Sequence, residues 1–251
     1  MLWFKQRDIK LREIMDDEKC DSLLLFNTYE FFRIVNMLTA NWGWIYRKII
    51  RPRLRANGGH GRFLDVGFGG GDVIDRLALM CKKDGFEVEF LGIDLDKRAV
   101  EFVNKKSHLS NVHFLAIDAR DILKSNEKYD FVISNSVLHH LQDSELIEFC
   151  AITKGIARCC VIHNDVARSA FSYYFFRLIF PLLAPFIKKS FAGVDGAYSI
   201  RRSFYREELA SLVSKDWKVI KVFFPPRLLL TNEFPASTNP NCQGETKTKL
   251  K

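Results

Sequence analysis

The sequence predicts an α/β fold: an open, mainly parallel seven-stranded sheet with helices on both faces and a helical cap. Three observations carry this. Between about residues 60 and 165, short apolar runs alternate with stretches of helical period, the rhythm of parallel strands joined by crossover helices. That rhythm pauses after Asp165 and resumes near residue 204. The 251 residues, 47% hydrophobic and 27% charged, suffice for one core and exclude a disordered, collagen-like or polytopic membrane chain.

Residues 1–57 read as an N-terminal helical cap, with Leu23, Leu24, Phe26, Phe31, Phe32, Ile34, Val35 and Leu38 recurring at spacings of three and four. Asn57-Gly-Gly-His-Gly61 breaks that pattern. Strands are expected at 62–66, 88–93, 112–117, 129–134 and 159–163, and helices near 72–83, 96–106 and 143–155. A cap insertion at about 166–203 follows. Within it, residues 171–187 are strongly apolar but fall short of the roughly 20 residues of a membrane span, and they carry Arg177, Pro181 and Pro185. A pair of short buried helices is expected there, with peripheral membrane contact as an alternative. A helix at 204–214 and strands at 217–224 and 227–231 complete a domain over 58–231. Pro225-Pro226 between those last strands forces a reversal, so they should run antiparallel at the sheet edge. The polar tail 232–251 reads as disordered.

Charge divides unevenly. Lys and Arg exceed Asp and Glu by 11 to 7 in residues 1–58 and 14 to 6 in 166–251, whereas 59–165 hold 13 against 17. An acidic centre suits a ligand held by carboxylates; basic flanks suit an anionic surface, a nucleic acid or plain solvation. The six cysteines, at 20, 81, 150, 159, 160 and 242, form no C-x-x-C pair, so no metal site is expected. The start lacks an apolar signal region, which points to reduced thiols and a cytoplasmic protein.

The strongest motif is Phe63-Leu-Asp-Val-Gly-Phe-Gly-Gly-Gly-Asp72. A strand runs into Gly67, Gly69 and Gly71, and a helix starts at once with Asp72 as its expected N-cap. Glycines let a ligand approach the backbone, and the helix start offers free N–H groups. The spacing does not fit G-x-G-x-x-G, since Asp stands at 72 and Ile at 74, and no Gly-Lys-Ser/Thr follows. Asp65, two residues before the first glycine, suits a cationic ligand and repels a pyrophosphate.

These residues resemble the first motif of the class I S-adenosylmethionine-dependent methyltransferases, and the resemblance extends from about 61 to 231. It implies a Rossmann-like fold with S-adenosyl-L-methionine as cofactor. Asp94, with Leu95 beside it, falls where that family binds both ribose hydroxyls. Asp118-Ala119 ends the third strand, where the family meets the adenine. Asn135 closes Tyr129-Asp-Phe-Val-Ile-Ser-Asn, similar to the family's fourth-strand motif. More loosely, residues 11–17, 42–48 and 163–169 resemble a bacterial small-molecule subgroup related to quinone-biosynthetic methylases.

Methylating a hydroxyl requires a group to take its proton, and histidine titrates in the useful range. His139, His140, His163 and Asp165 all follow expected strand ends and form the candidate catalytic cluster; helix-entry packing and turn chemistry are their structural alternatives. Aromatic residues of the cap (Phe26, Tyr29, Phe31, Trp42, Trp44, Tyr46, 173–176 and Phe180) suit a small lipophilic or aromatic acceptor, or simply pack the cap. The rivals are an RNA methyltransferase, suggested by Arg201-Arg202, and a non-catalytic cofactor-binding partner protein. Nucleic acid is disfavoured because no separate RNA-binding module is visible.

Overall fold

The computed structural model describes residues 4–183, 188–222 and 224–234. Its seven strands are β1 (His60–Val66), β2 (Glu87–Asp94), β3 (Val112–Ala116), β4 (Tyr129–Asn135), β5 (Ala157–Val166), β6 (Trp217–Val222) and β7 (Arg227–Glu233), in the order β3-β2-β1-β4-β5-β7-β6. The expected reversal is present, and β7 pairs antiparallel with both neighbours, so it alone runs against the sheet.

Period-two alternation sends the strand side chains to two cores. Phe63 stacks between Phe90 and Phe131 of the adjacent strands, at ring distances of 4.8 and 4.5 Å. They face α4 (Asp72–Lys83) and the N-terminal helices α2 (Trp42–Ile45) and α3 (Arg51–Ala56), which a π-helical turn, Tyr46–Ile50, connects. Leu64, Val66, Val132 and Val161 face the other way, toward α6 (Ala119–Lys124), α7 (Asp143–Ile156) and α10 (Arg206–Leu212). A third cluster joins α1 (Ser22–Thr39) to α5 (Lys97–Asn104) over the Gly-rich turn.

Strand β5 runs three residues past the expected 163 because its polar residues are bonded. Asn164 Nδ2 donates to Ala40 O, and Asp165 accepts from His139 and Val166. In the insertion, α8 (Ala170–Leu183) keeps Pro181 within its last turn, where little helix remains to be interrupted. The stretch expected to form a second short helix, with Pro185, lies outside the described residues. Then α9 (Ala192–Arg202) returns the chain to the sheet. No helix among the described residues is long and apolar enough to cross a membrane. At the other end, the expected tail begins two residues early, since Asn232 and Glu233 belong to β7, where Arg53 pairs with Glu233. The rest of that tail, from 235, lies outside the described residues.

Candidate active site

A cavity of about 1100 Å³ opens at the carboxyl ends of the parallel strands, the edge at which open α/β sheets bind ligands. A second groove of about 720 Å³ lies at the opposite edge, beside His60, Glu87 and Asn111. The chemistry gathers in the first.

The Gly-rich turn forms its floor. Gly67 and Gly71 have φ of 75° and 73°, and a Cβ on Gly67 would meet Val137 Cγ2 at 2.7 Å, so both conformation and space demand glycine there. Gly69 also lines the cavity, and its N–H donates to Asp94 Oδ2 at 2.9 Å. Gly71, rather than the expected Asp72, caps α4: its left-handed backbone makes the turn, and Asp72 becomes the first helical residue. Gly71 packs against Val103 and Phe114 and does not line the cavity.

Three carboxylates converge on this floor. Asp65 is buried, and its Oδ1 has no hydrogen-bond partner among the described residues. Burial, with Asp72 and Asp94 nearby, pushes its carboxyl well above the usual range. Burial likewise lifts Asp72 to about 6 and raises Asp94. A site that destabilises three neighbouring anions becomes favourable when a cationic ligand arrives. Leu95, Asp118, Ala119 and Asn135 all line the same cavity. Asp118 already serves as the N-cap of α6, accepting from Arg120 N, and its other oxygen pairs with the Arg120 guanidinium. Asn135 Oδ1 accepts from Trp42 Nε1, Asn164 Nδ2 and Arg227 Nη2, tying cap to sheet.

The four residues of the candidate catalytic cluster separate. His163 is fully buried between Ser134 Oγ (2.8 Å) and Thr153 Oγ1 (3.1 Å), beside Phe149 and Trp217, and burial lowers it to about 3. It is a neutral core histidine that does not reach the cavity. The reason is register: β5 continues three residues past His163, whose side chain shares the face of Val161 and packs under α7 and β6. Asp165 also stands off the cavity, behind His139, whose Nδ1 donates to its Oδ1 at 2.7 Å.

His139 and His140 sit on the 3-10 turn Leu138–His140, and both line the cavity. Burial alone would lower His139, but Asp165 and Glu13 lift it to about 9, so at neutral pH it is an imidazolium held between two carboxylates. It has no lone pair to offer a substrate. His140 differs: its Nδ1 is 2.9 Å from Asp16 Oδ2, whereas its Nε2 is 3.9 Å from Glu13 Oε2, beyond hydrogen-bonding distance. In the tautomer whose Nδ1–H is held by Asp16, Nε2 is the nitrogen left with a lone pair.

The partners of these histidines, Glu13 and Asp16, come from the N-terminal segment; they fall within residues 11–17, which carry the looser family resemblance, but nothing in the sequence pointed either one at a histidine. The segment is pinned on both sides. Arg98 Nη1 and Nη2 donate to Asp17 O, Glu18 O and Met15 O, and Asp195 of α9 accepts from Ile14 N and Met15 N. Of the cap aromatics singled out in the sequence, Tyr29 and Phe176 line the cavity, together with Phe32. Trp42, Phe31 and Tyr46 are buried in packing.

Residues 58–165 match the family model of a methyltransferase domain. No curated protein matches the chain by sequence. Among solved structures, the plantazolicin methyltransferase BpumL in complex with SAH superposes with a TM-score of 0.54 at 13% identity, over 93% of each chain. Human N-acetylserotonin methyltransferase in complex with SAM gives 0.58 at 11% identity, over 86% of this chain and 57% of that one. An O-methyltransferase family protein from Burkholderia thailandensis gives 0.50 at 14% identity, over 82% and 59%. At such identities the likeness is one of fold.

Proposed function

We propose that this S-adenosylmethionine-dependent methyltransferase transfers the methyl group to a hydroxyl of a small lipophilic or aromatic compound, with His140 as proton acceptor. The cofactor assignment rests on more than the domain match. Asp65 Oδ1 is an unpartnered buried acceptor beside a turn that admits only glycine at Gly67, a fit for the ammonium and sulfonium charges of the cofactor. Asp65 and the Gly-rich turn would hold its amino acid part, Asp94 its ribose, and Asp118 with Ala119 its adenine. When bound, the cofactor supplies a methyl group activated as an electrophile.

The chain's own contribution is orientation, exclusion of water and one proton transfer. The cap supplies Tyr29, Phe32, Val35 and Phe176 to the cavity wall, an apolar lining that suits a lipophilic ring. A hydroxyl lodged there would give its proton to His140 Nε2, while Asp16 stabilises the imidazolium that results. The His140–Asp16 pair at 2.9 Å, facing a largely apolar chamber, is the single observation on which the reading stands.

Of the two features behind the RNA reading, the basic flanks and Arg201-Arg202, the arginine pair has intramolecular partners. Arg201 pairs with Asp8, and Arg202 bonds the carbonyls of Leu11, His139 and His140, so both guanidiniums are engaged in fastening the cap. The test is radiolabelled methyl transfer to a panel of lipophilic phenols and quinols beside total RNA. Turnover on a phenol supports the reading. Labelling of RNA alone would overturn the acceptor class, and cofactor binding without any transfer would favour a non-catalytic partner.

A further inference from the structure

We propose that Glu13, His139 and His140 form a binding site for one first-row divalent cation, of the zinc type, in the cavity wall. The ion's role would deepen the proposed function and rests on it; the ion's presence does not.

The argument is geometric. Each imidazole has its Nδ1 tied to a different carboxylate: His139 to Asp165 Oδ1 at 2.7 Å and His140 to Asp16 Oδ2 at 2.9 Å. Those bonds turn both Nε2 atoms toward one third carboxylate. Nε2 of His139 is 3.2 Å from Glu13 Oε1, and Nε2 of His140 is 3.9 Å from Glu13 Oε2. One ligand atom from each of the three residues lies within 4.8 Å of the others.

An ion about 2.0–2.2 Å from each donor would draw them to roughly 3.3 Å apart, so closure asks for small side-chain movements. A simple ion-pair cluster needs one carboxylate per imidazole. Here both imidazoles already have one, and they share a further one that is itself buried and oriented by Ser199 Oγ at 2.8 Å. Ligands whose far atoms are fastened by carboxylates and hydroxyls are how metal sites fix tautomer and aim.

Donor chemistry selects the ion. Two imidazoles and a carboxylate suit zinc and its neighbours, whereas magnesium and calcium take oxygen shells. All three side chains line the cavity, so the open coordination positions face it and can accept an acceptor oxygen. The proton that His139 Nε2 shares with Glu13 would leave to solvent as the ion binds. With the ion bound, His140 Nε2 would be a ligand and an acceptor hydroxyl on the ion would release its proton to solvent; without the ion, Nε2 is the proton acceptor described above.

The full chain, stripped with a chelator and dialysed, is titrated with Zn²⁺ by calorimetry and with Co²⁺ by visible absorption, in the absence of cofactor and acceptor. One equivalent should bind, with the ligand-field bands of a nitrogen and oxygen site. His140→Ala should abolish that equivalent. Asp16→Asn keeps all three ligands but weakens the outer bond, and should reduce affinity about 10–100-fold. His60→Ala, which removes an exposed histidine 3.3 Å from Glu87 at the opposite edge, should bind as the parent does. If His140→Ala does not fold, Asp16→Asn decides. Absence of a stoichiometric ion, or parent-like binding by either site variant, overturns the proposal. Phenol methylation by a chain that binds no ion would overturn this inference and keep the proposed function; a bound ion without any methyl transfer would do the reverse.

Discussion

At the scale of single residues, the order of the strands decides which side chains meet at the cavity. Asp65, Gly67, Gly69, Asp94 and Asn135 reach one cavity because the strand ends that carry them are neighbours in the sheet. The two carboxylates that set the chemistry of His139 and His140 arrive from more than a hundred residues away, a separation no local pattern reports. Asp94→Ala should weaken S-adenosylmethionine binding by roughly 1–3 kcal/mol, through loss of a charged acceptor for neutral hydroxyls. Unchanged affinity in calorimetry would mean that the ribose is held elsewhere. His140→Gln should lower kcat on a phenolic acceptor by on the order of 10²–10⁴ while cofactor affinity stays near the parent's; equal turnover would remove His140 as proton acceptor. His163 belongs to stability. Its folded pKa of about 3 lies below the ordinary value of 6.5, so between those limits the unfolded chain takes up a proton that the native chain refuses. Its contribution is therefore present above about pH 6.5 and drains away as pH falls toward 3, by at most about 1.4 kcal/mol per pH unit. Denaturant unfolding across that window should show a shallower pH slope for His163→Gln than for the parent; identical slopes would contradict the assignment.

At the scale of elements, period and punctuation located the strands and α4 well, because those segments bury a face and stop at glycine or a charged turn. Elements whose boundaries depend on tertiary bonds were less legible. The polar end of β5 looks like a loop until Ala40 and His139 supply partners for Asn164 and Asp165. The insertion carries a further consequence. Along α8, Phe171, Phe175, Leu178 and Leu182 are exposed on one stripe at helical spacing, with Arg177, Lys188 and Lys189 exposed nearby. Burying such a stripe beside cations favours an anionic lipid surface. The protein should therefore co-sediment with phosphatidylserine vesicles more than with neutral ones, and Phe175→Ser with Leu178→Ser should weaken that several-fold. Equal recovery with both vesicle types, or no effect of the double substitution, would show that the stripe meets something other than lipid.

For the whole molecule, the fold class followed from the alternation of strands and helices, whereas the enclosure of the site did not, since it depends on a polar N-terminal segment without periodicity. That segment fastens to both sides of the cavity. Arg7 reaches the carbonyls of Leu141 and Arg202, and Arg98 grips the carbonyls of Met15, Asp17 and Glu18 from the start of α5, just after β2. Because Arg98 follows β2 while its partners belong to the cap, its bonds link the strand end that would hold the ribose to the segment that covers the cavity. Hydrogen bonds from a charged group contribute about 1.5–3 kcal/mol where they are well enclosed, and these are partly open to solvent, so the lower end applies. Arg98→Ala should then loosen the cover without touching Asp65 or Asp94. The expected signature is kinetic: dissociation of S-adenosylmethionine about tenfold faster in stopped-flow displacement, with association little changed and global unfolding within about 1 kcal/mol of the parent. A slowed association with unaltered dissociation would mean that Arg98 guides the ligand inward instead of closing over it, and the N-terminal segment would then be part of the wall and not a cover.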